Sequence, residues 1–195
     1  MSDIILSIEN AVMEFGGFRA VGGENGLSFN VDRGGFLGLI GPNGAGKSTV
    51  FNLISGVLKP THGRVTMDGI ELSSLKAADI AGQQLGRTFQ TPRAFPSLSV
   101  VDNVMVGADH PEEGPISALL GRWHGPDAAM RLKAEHALER VGLVDRMDES
   151  VGNLSGGELR MLEVARQLNR DPRVLMLDEP TAVCLLYTSP SPRDS

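Results

Sequence analysis

The chain has 195 residues, enough for one domain with a sizeable core or for a core with a small subdomain, whereas two full domains are not expected. Its 18 Lys and Arg stand against 24 Asp and Glu, so a net charge of −6 gives no general field that would attract nucleic acid or an anionic membrane surface. Any phosphate binding must therefore be local.

The sequence also bears on the compartment. The segment MSDIILSIEN has no basic start and only a short apolar stretch, so we expect no secretory signal there. No run approaches the roughly 18 apolar residues that a membrane span needs. The single cysteine, Cys184, excludes an internal disulfide framework. We expect a cytoplasmic α/β protein with no transmembrane segment of its own.

The first third of the chain predicts strands and one glycine-flanked helix. Alternation with period two in Ile4–Val12 and in Leu27–Val31 predicts antiparallel strands. The run FLGLI, residues 36–40, follows a Gly-Gly turn and predicts a strand buried on both faces. A glycine loop and a helical pattern over Lys47–Val57 come next. In GRVTMDGIEL, the dipeptide Asp68-Gly69 predicts a tight hairpin.

The middle of the chain predicts helices. Ser99 with Asp102 indicates the start of a helix over residues 99–108, and a helical period returns at residues 128–141. Residues 109–127 are rich in Pro and Gly and predict a loop or a poorly ordered insertion. We expect a helical subdomain over about residues 91–157.

The strongest chemical motif is a phosphate loop. It matches G-x-x-x-x-G-K-[ST] between a predicted strand and a predicted helix. Backbone amides in such a loop approach phosphate closely, and the following helix points its positive end at the anion. Lys47 would reach the terminal phosphates, and Ser48 would offer its hydroxyl to Mg²⁺. The alternative, an ordinary glycine turn, is disfavoured by the context. The residues are Gly41, Pro42, Asn43, Gly44, Ala45, Gly46, Lys47, Ser48 and the following Thr49.

A second motif is an acidic pair after an apolar run. The run VLML precedes Asp178 and Glu179, and a strand ending in this way can place a carboxylate beside a phosphate loop to hold hydrated Mg²⁺. Glu179 would polarise the attacking water. An acidic pair alone more often starts a solvated loop, but the phosphate loop upstream favours the catalytic interpretation.

A third motif has two open interpretations. It is Leu154, Ser155, Gly156, Gly157 and Glu158, which precedes a predicted helix extending to about Asn169. Ser155 and Glu158 have the spacing of a capping box. A helix start that exposes two glycines is also an anion site, and the two uses can share one geometry.

Together the three motifs, in this order, resemble the nucleotide-binding domain of ATP-binding cassette (ABC) transporters over about residues 4–182. The resemblance implies an α/β fold with a P-loop NTPase (RecA-like) core, an N-terminal antiparallel β subdomain and a helical subdomain. It implies ATP and Mg²⁺ as cofactors. It also implies a second ABC ATPase subunit, because residues 154–158 of one subunit would close over the nucleotide held by residues 41–49 of the other.

The resemblance assigns further roles. Gln90 in RTFQ would sense Mg²⁺ and water during catalysis, and Phe15 in MEFGG would stack on adenine. From the residues alone, Gln90 is a surface amide and Phe15 a core side chain. The stretches FGGFRAV and RTFQTPRAFPSLSVVDNVMVG resemble the ATPase subunits of branched-chain amino-acid importers. This implies contact of residues 90–104 with a membrane permease, at the inner face of the cell membrane, and no direct nucleic-acid partner.

The carboxyl-terminal stretch differs from the family. We expect a partial ABC ATP-binding domain over residues 4–183, incomplete at its C-terminus, with residues 184–195 a non-native tail and with little turnover by the chain as it stands. A soluble ABC ATPase acting on nucleic acid or ribosomes would be expected to carry a long coiled-coil insertion, or a second cassette with a basic linker. This sequence shows neither feature, which disfavours that alternative. A phosphate-loop kinase or GTPase is disfavoured by LSGGE. A nucleotide-binding fragment without turnover remains open.

Overall fold

The computed structural model describes residues 3–88, 93–107 and 128–178. The chain divides into two compact units between Leu85 and Gly86. The first contains an antiparallel sheet and the second a group of packed helices, which confirms the predicted fold class with its β and helical parts. The domain bounds 4–183 and 91–157 stay predictions. The predicted loop at 109–127 and the tail at 184–195 lie outside the described residues.

The sheet of the first unit forms around its longest strand, β1 (Ile4–Phe15). This strand pairs antiparallel with β2 (Phe18–Val21), β3 (Leu27–Asp32) and β4 (His62–Met67), and β4 pairs with β5 (Ile70–Glu71). Ile8 of β1 lies opposite Val65 of β4, and both are almost wholly buried, at 1% and 0% exposed. The two predicted antiparallel strands are confirmed as β1 and β3.

The predicted hairpin is confirmed between β4 and β5. Met67 pairs with Ile70, so Asp68 and Gly69 form the turn. Both turn residues have positive φ, at 48° and 77°. This left-handed geometry matches the twist of paired strands and is the reason why Asp-Gly is favoured there.

Two helices of the first unit are α1 (Lys47–Ile54) and α2 (Ala77–Ala81). The predicted helix after the glycine loop is confirmed as α1, which buries Val50, Leu53 and Ile54 on one face. It ends before Ser55-Gly56, so Val57 lies beyond its last turn and is 61% exposed. The apolar pattern therefore continues past the point where the helix stops.

The prediction of a buried strand at residues 36–40 is wrong. This segment has no strand geometry, and Phe36 and Ile40 are each 95% exposed. A buried strand needs hydrogen-bonded neighbours and cover on its faces. Among the described residues, no backbone–backbone hydrogen bond involves positions 36–40. The apolar composition indicated a preference for burial, but it did not supply the pairing that a strand requires.

Three helices of the second unit pack around one apolar core: α3 (Val100–Val106), α4 (Ala128–Arg140) and α5 (Gly156–Leu168). The predicted helix starts are confirmed. Ser99 caps α3 by accepting a hydrogen bond from the Asp102 amide at 3.2 Å. The buried side chains that the helices share include Val100, Val101, Val104, Ala134, Leu138, Leu162 and Ala165.

The chain also forms a short two-stranded sheet. The strand β6 (Leu85–Arg87) pairs with β7 (Val174–Met176), which confirms the strand predicted before Asp178. The amide of Thr88 donates to the carbonyl of Met176 at 3.0 Å, so the pairing continues just past the end of β6. The carboxyl ends of the two strands therefore lie side by side.

Candidate functional site

The phosphate loop runs into the first turn of α1. Gly46 is the N-cap residue of this helix, with φ 85°, and no side chain caps the helix start. A Cβ atom at Gly46 would lie 2.5 Å from the carbonyl oxygen of Ala20, so the position needs glycine both for its left-handed backbone and for this close approach. A helix start without a side-chain cap presents its amides to an anion.

Lys47 folds back onto the loop that precedes it. Its ammonium donates to the carbonyl oxygens of Gly41 at 2.6 Å and of Pro42 at 2.8 Å. The side chain is therefore already held at the loop by backbone acceptors. An ammonium has three donors on a flexible stem, so it can exchange these carbonyls for phosphate oxygens with little movement of the backbone.

The other loop residues are mostly accessible. Ser48 is exposed and Thr49 half-buried, while Pro42, Asn43, Gly44 and Ala45 lie on the surface. Ser48 is therefore accessible to a ligand at the start of α1. This arrangement is compatible with the predicted cradle for phosphates.

Phe15 lies at the end of β1 with its side chain partly in solvent. It is 46% exposed, so the interpretation of Phe15 as a core side chain is wrong. Its strand partner Phe18 is 71% exposed. Nearby in the first unit is a cavity of about 250 Å³, which Lys47 and Val50 help to line. The other lining residues are Arg19, Ala20, Val21, Gly22, Gly23, Leu27, Leu39, Ile40 and Ala45.

In the second unit, Asp178 follows β7 and is held by the segment after β6. Its amide donates to the hydroxyl of Thr88 at 3.1 Å, and its carboxylate lies 4.0 Å from the guanidinium of Arg87. Burial lowers the pKa of Arg87, and the charge of Asp178 opposes that shift. The Asp178 side chain is only one-fifth exposed, so its carboxylate has limited contact with water.

The capping box at the start of α5 is present. The hydroxyl of Ser155 accepts from the Glu158 amide at 3.3 Å, and the Glu158 carboxylate accepts from the Ser155 amide at 2.7 Å. Arg146 also donates to this carboxylate, at 2.5 Å. The hydrogen bonds from Ser155 and then from Arg146 lower the pKa of Glu158 from 4.5 to about 2. Leu154 is buried, whereas Ser155 and Gly156 are exposed, so the helix start remains accessible.

Several predicted site residues are not placed. Glu179 and Gln90, the predicted catalytic residues, lie outside the described residues. The phosphate loop belongs to the first unit, and Asp178 and residues 154–158 belong to the second. Their roles stay predictions.

Sequence reasoning missed some neighbours of these residues. Thr88 and Arg87 stand just before Gln90 in the chain, and this proximity was the signal that could have drawn attention to them. Arg146 is twelve positions away from Glu158 and carries no motif, so no local pattern indicated their contact.

The described ranges contain no group of three or more His, Cys, Asp or Glu side chains able to hold a metal ion. Mg²⁺ bound with substrate phosphates needs only one or two protein ligands, so this result fits such a use. In the same part of the chain, none of the helices combines the length and hydrophobicity that a bilayer crossing demands.

The chain is similar to known transport proteins. Residues 24–182 match the family model described as ABC transporter. A probable branched-chain amino acid transport ATP-binding protein, LivG of Methanocaldococcus jannaschii, is 36% identical over 179 residues, which cover 91% of this chain and 68% of the relative. The high-affinity branched-chain amino acid transport ATP-binding protein BraF of Pseudomonas aeruginosa is 40% identical over 188 residues, covering 93% and 71%.

Solved structures agree with this assignment. The ADP conformation of an ATP-binding cassette of an ABC transporter is 35% identical, with a TM-score of 0.76 over 92% of this chain and 70% of that one. A dimeric cassette in a post-hydrolysis state, bound to ADP and phosphate, is 25% identical, with a TM-score of 0.68 over 91% and 75%. The chain therefore belongs to the ATP-binding proteins of the ABC transporter family, which couple ATP hydrolysis to transport.

Proposed function

We propose that the chain is the ATP-binding and ATP-hydrolysing subunit of an importer of branched-chain amino acids. The observation that carries this proposal is the phosphate loop, in which Gly46 opens α1 without a side-chain cap and Lys47 is held beside it by backbone carbonyls. The two named relatives, both branched-chain amino acid transport ATP-binding proteins, support the choice of solute.

In this proposal ATP binds at residues 41–49 with Mg²⁺. The Lys47 ammonium leaves the Gly41 and Pro42 carbonyls and donates to the terminal phosphates, and Phe15 stacks on adenine. Ser48 and Asp178 are proposed as ligands of Mg²⁺, since one offers an accessible hydroxyl and the other a carboxylate that is one-fifth exposed. The metal would neutralise charge on the phosphate oxygens. Gln90 is proposed as a further ligand.

Hydrolysis is assigned to Glu179. Its carboxylate would orient and polarise the attacking water, and general-base assistance of this kind contributes about 10²–10⁴ in rate. Gln90 would help to place that water. The amide of Asp178, the residue directly before Glu179 in the sequence, donates to the hydroxyl of Thr88 at 3.1 Å.

Two partners follow from the proposal. A second cassette subunit would place its residues 154–158 over the nucleotide bound here, and a neighbour structure that is dimeric and bound to ADP and phosphate supports the presence of a second subunit. The accessible start of α5 is compatible with that role. Permease subunits would contact residues 90–104, which places the subunit on the inner face of the cell membrane. No direct contact with nucleic acid is proposed.

The test is reconstitution with the permease subunits of a branched-chain amino-acid importer in proteoliposomes. The expected result is detectable leucine uptake and ATP hydrolysis with the wild-type chain, at the low turnover expected of a partial domain. Glu179→Gln should retain Mg-ATP binding but hydrolyse ATP at least about 100-fold more slowly. Glu139→Gln, an exposed change on α4, is the matched control and should be fully active.

Two results would contradict the proposal. Hydrolysis that does not depend on Glu179 would remove the assigned catalytic residue. Mg-ATP binding without any hydrolysis or uptake in the presence of permease would favour a nucleotide-binding fragment without turnover.

A further inference from the structure

The segment from Arg93 to Ser99, here called the 93–99 segment, is held by side chains of α3 and α5. It follows Gln90 in the chain and leads into α3. Phe95 in this segment is 44% exposed, so its ring is available to solvent on one side. The contacts that hold the segment come from Asn103 and Arg166.

Asn103, in α3, fixes the shape of the 93–99 segment through the hydrogen bonds of its side chain. Its side chain is wholly buried, at 0% exposed, although it is polar. Its amide oxygen accepts from the Phe95 amide at 2.8 Å, and its amide nitrogen donates to the carbonyls of Phe95 at 3.1 Å and of Ser99 at 2.9 Å. Buried polar groups are retained where such bonds are satisfied. One side chain thus closes the segment into a defined loop.

Arg166 holds the same segment from α5. Its guanidinium donates a hydrogen bond to the carbonyl of Arg93 and lies 5.4 Å from the centre of the Phe95 ring, a cation–π distance. Burial lowers the pKa of Arg166, and the charge of Glu163 opposes that shift. A partly buried guanidinium that loses its partners keeps the cost of desolvation without the compensating contacts. Loss of the contacts with Arg93 and Phe95 would therefore be unfavourable.

Arg166 shares a helix with the LSGGE motif. α5 begins after Ser155, and Arg166 lies in its last turn, eleven residues further on, which corresponds to about 16 Å along the helix axis. Leu162 and Ala165 anchor the helix in the core, at 1% and 0% exposed. A packed helix moves as a rigid element, so a tilt at its start is carried to its last turn.

We propose that Arg166 is a positioning residue that transmits the state of the LSGGE end of α5 to the 93–99 segment, while Asn103 keeps that segment in one shape. This inference rests on the proposed function, in which the start of α5 faces the ATP of a partner subunit and the segment faces the permease. Arg166 is then the contact through which nucleotide binding reaches the transport machinery.

The test follows the 93–99 segment by amide hydrogen exchange in the full chain carrying Glu179→Gln, with and without Mg-ATP. Mg-ATP should alter exchange within the segment when Arg166 is present. Arg166→Met should abolish this response while Mg-ATP affinity stays within about twofold. Arg166→Lys keeps a cation over the ring and one donor, so it should restore at least part of the response.

Two controls match the substitution. Arg140→Met removes an exposed arginine at the end of α4 and should leave the response intact. Gly107→Ala adds a methyl group 3.6 Å from the Arg166 side chain, an ordinary contact distance, and should also be tolerated. In proteoliposomes with permease, Arg166→Met should lower uptake per ATP hydrolysed by about three- to thirtyfold.

The outcomes separate the two proposals. Absence of Mg-ATP binding in the protein with Arg166 would contradict the proposed function. Binding without any response of the segment, or an equal response in Arg166→Met, would overturn the inference about Arg166 alone. If Arg166→Met abolishes the response of the segment and Arg166→Lys restores it, the inference is supported. A purely structural defect would not depend on the positive charge at this position.

Discussion

The ammonium of Lys47 lies 2.6 Å from the carbonyl oxygen of Gly41, six residues earlier in the same loop. This contact closes the loop on itself and holds the ammonium against the segment that precedes α1. If a nucleotide binds at this loop, the Lys47 ammonium would exchange the backbone carbonyls of Gly41 and Pro42 for phosphate oxygens.

Replacing Gly46 by alanine should damage both folding and nucleotide binding. The new Cβ would meet the Ala20 carbonyl at 2.5 Å, at a residue with φ 85°. We expect a loss of about 1–3 kcal/mol in the free energy of unfolding, measured by urea denaturation, and weaker Mg-ATP binding by calorimetry.

Gly44→Ala is the matched control for this change. Gly44 has nearly the same backbone angle, φ 83°, but a Cβ there meets nothing within 4 Å. It should lose only the cost of the left-handed backbone, about 1–2 kcal/mol. A Gly46→Ala protein that is no less stable than Gly44→Ala would show that the contact with Ala20 has no energetic weight.

Glu158 should make stability depend on pH in the acid range. Its folded pKa of about 2 lies below the ordinary value of 4.5. The ionised carboxylate therefore stabilises the fold above about pH 4.5, and this contribution is lost as the pH falls towards 2. The difference in unfolding free energy between wild type and Glu158→Gln should be constant near neutral pH and shrink over that window.

The Arg146→Met variant separates the effect of Arg146 on the pKa of Glu158 from the effect of Ser155. The hydrogen bonds from Ser155 lower the pKa of Glu158 more than Arg146 does, so most of the pH dependence should survive the loss of Arg146. Urea denaturation at a series of pH values measures both variants. A difference between wild type and Glu158→Gln that stays the same from pH 2 to pH 7 would refute the assignment.

Two strands and a hairpin of the first unit, and two helix starts of the second, could be predicted from sequence because their determinants are local. Period-two alternation predicted β1 and β3, Asp68-Gly69 predicted the hairpin, and the capping residues Ser99 and Ser155 predicted two helix starts. These patterns act over a few residues, and the backbone geometry follows from them directly.

The remaining features depend on partners that are distant in sequence. Residues 36–40 are apolar, yet their predicted strand is absent because pairing is a property of neighbours and not of the run itself. The contact of Arg146 with Glu158 and that of Arg166 with Phe95 join residues 12 and 71 positions apart, and no motif marks them. Only the folded chain reveals such contacts.

Two buried asparagines should differ in their contribution to stability. Asn103 is 0% exposed and Asn169 2%. Asn103→Leu would leave the backbone groups of Phe95 and the Ser99 carbonyl, which are partly buried, without their partner, so we expect a loss of about 2–4 kcal/mol.

Asn169→Leu should cost much less, about 0–1 kcal/mol. Asn169 donates to the Val104 carbonyl at 3.2 Å, and its side-chain oxygen has no partner among the described residues. Both variants can be compared by urea denaturation at neutral pH. Equal losses in the two proteins would contradict the view that Asn103 organises the 93–99 segment.

The most direct test of the account is the affinity of the chain for Mg-ATP before and after Lys47→Ala, measured by isothermal titration calorimetry. A charged hydrogen-bonded contact contributes about 1.5–3 kcal/mol, so affinity should fall about 10- to 150-fold. Lys59→Ala, an exposed lysine beyond α1, should leave affinity unchanged. Equal affinity of the wild-type and Lys47→Ala chains, or no binding by the wild type, would contradict the account.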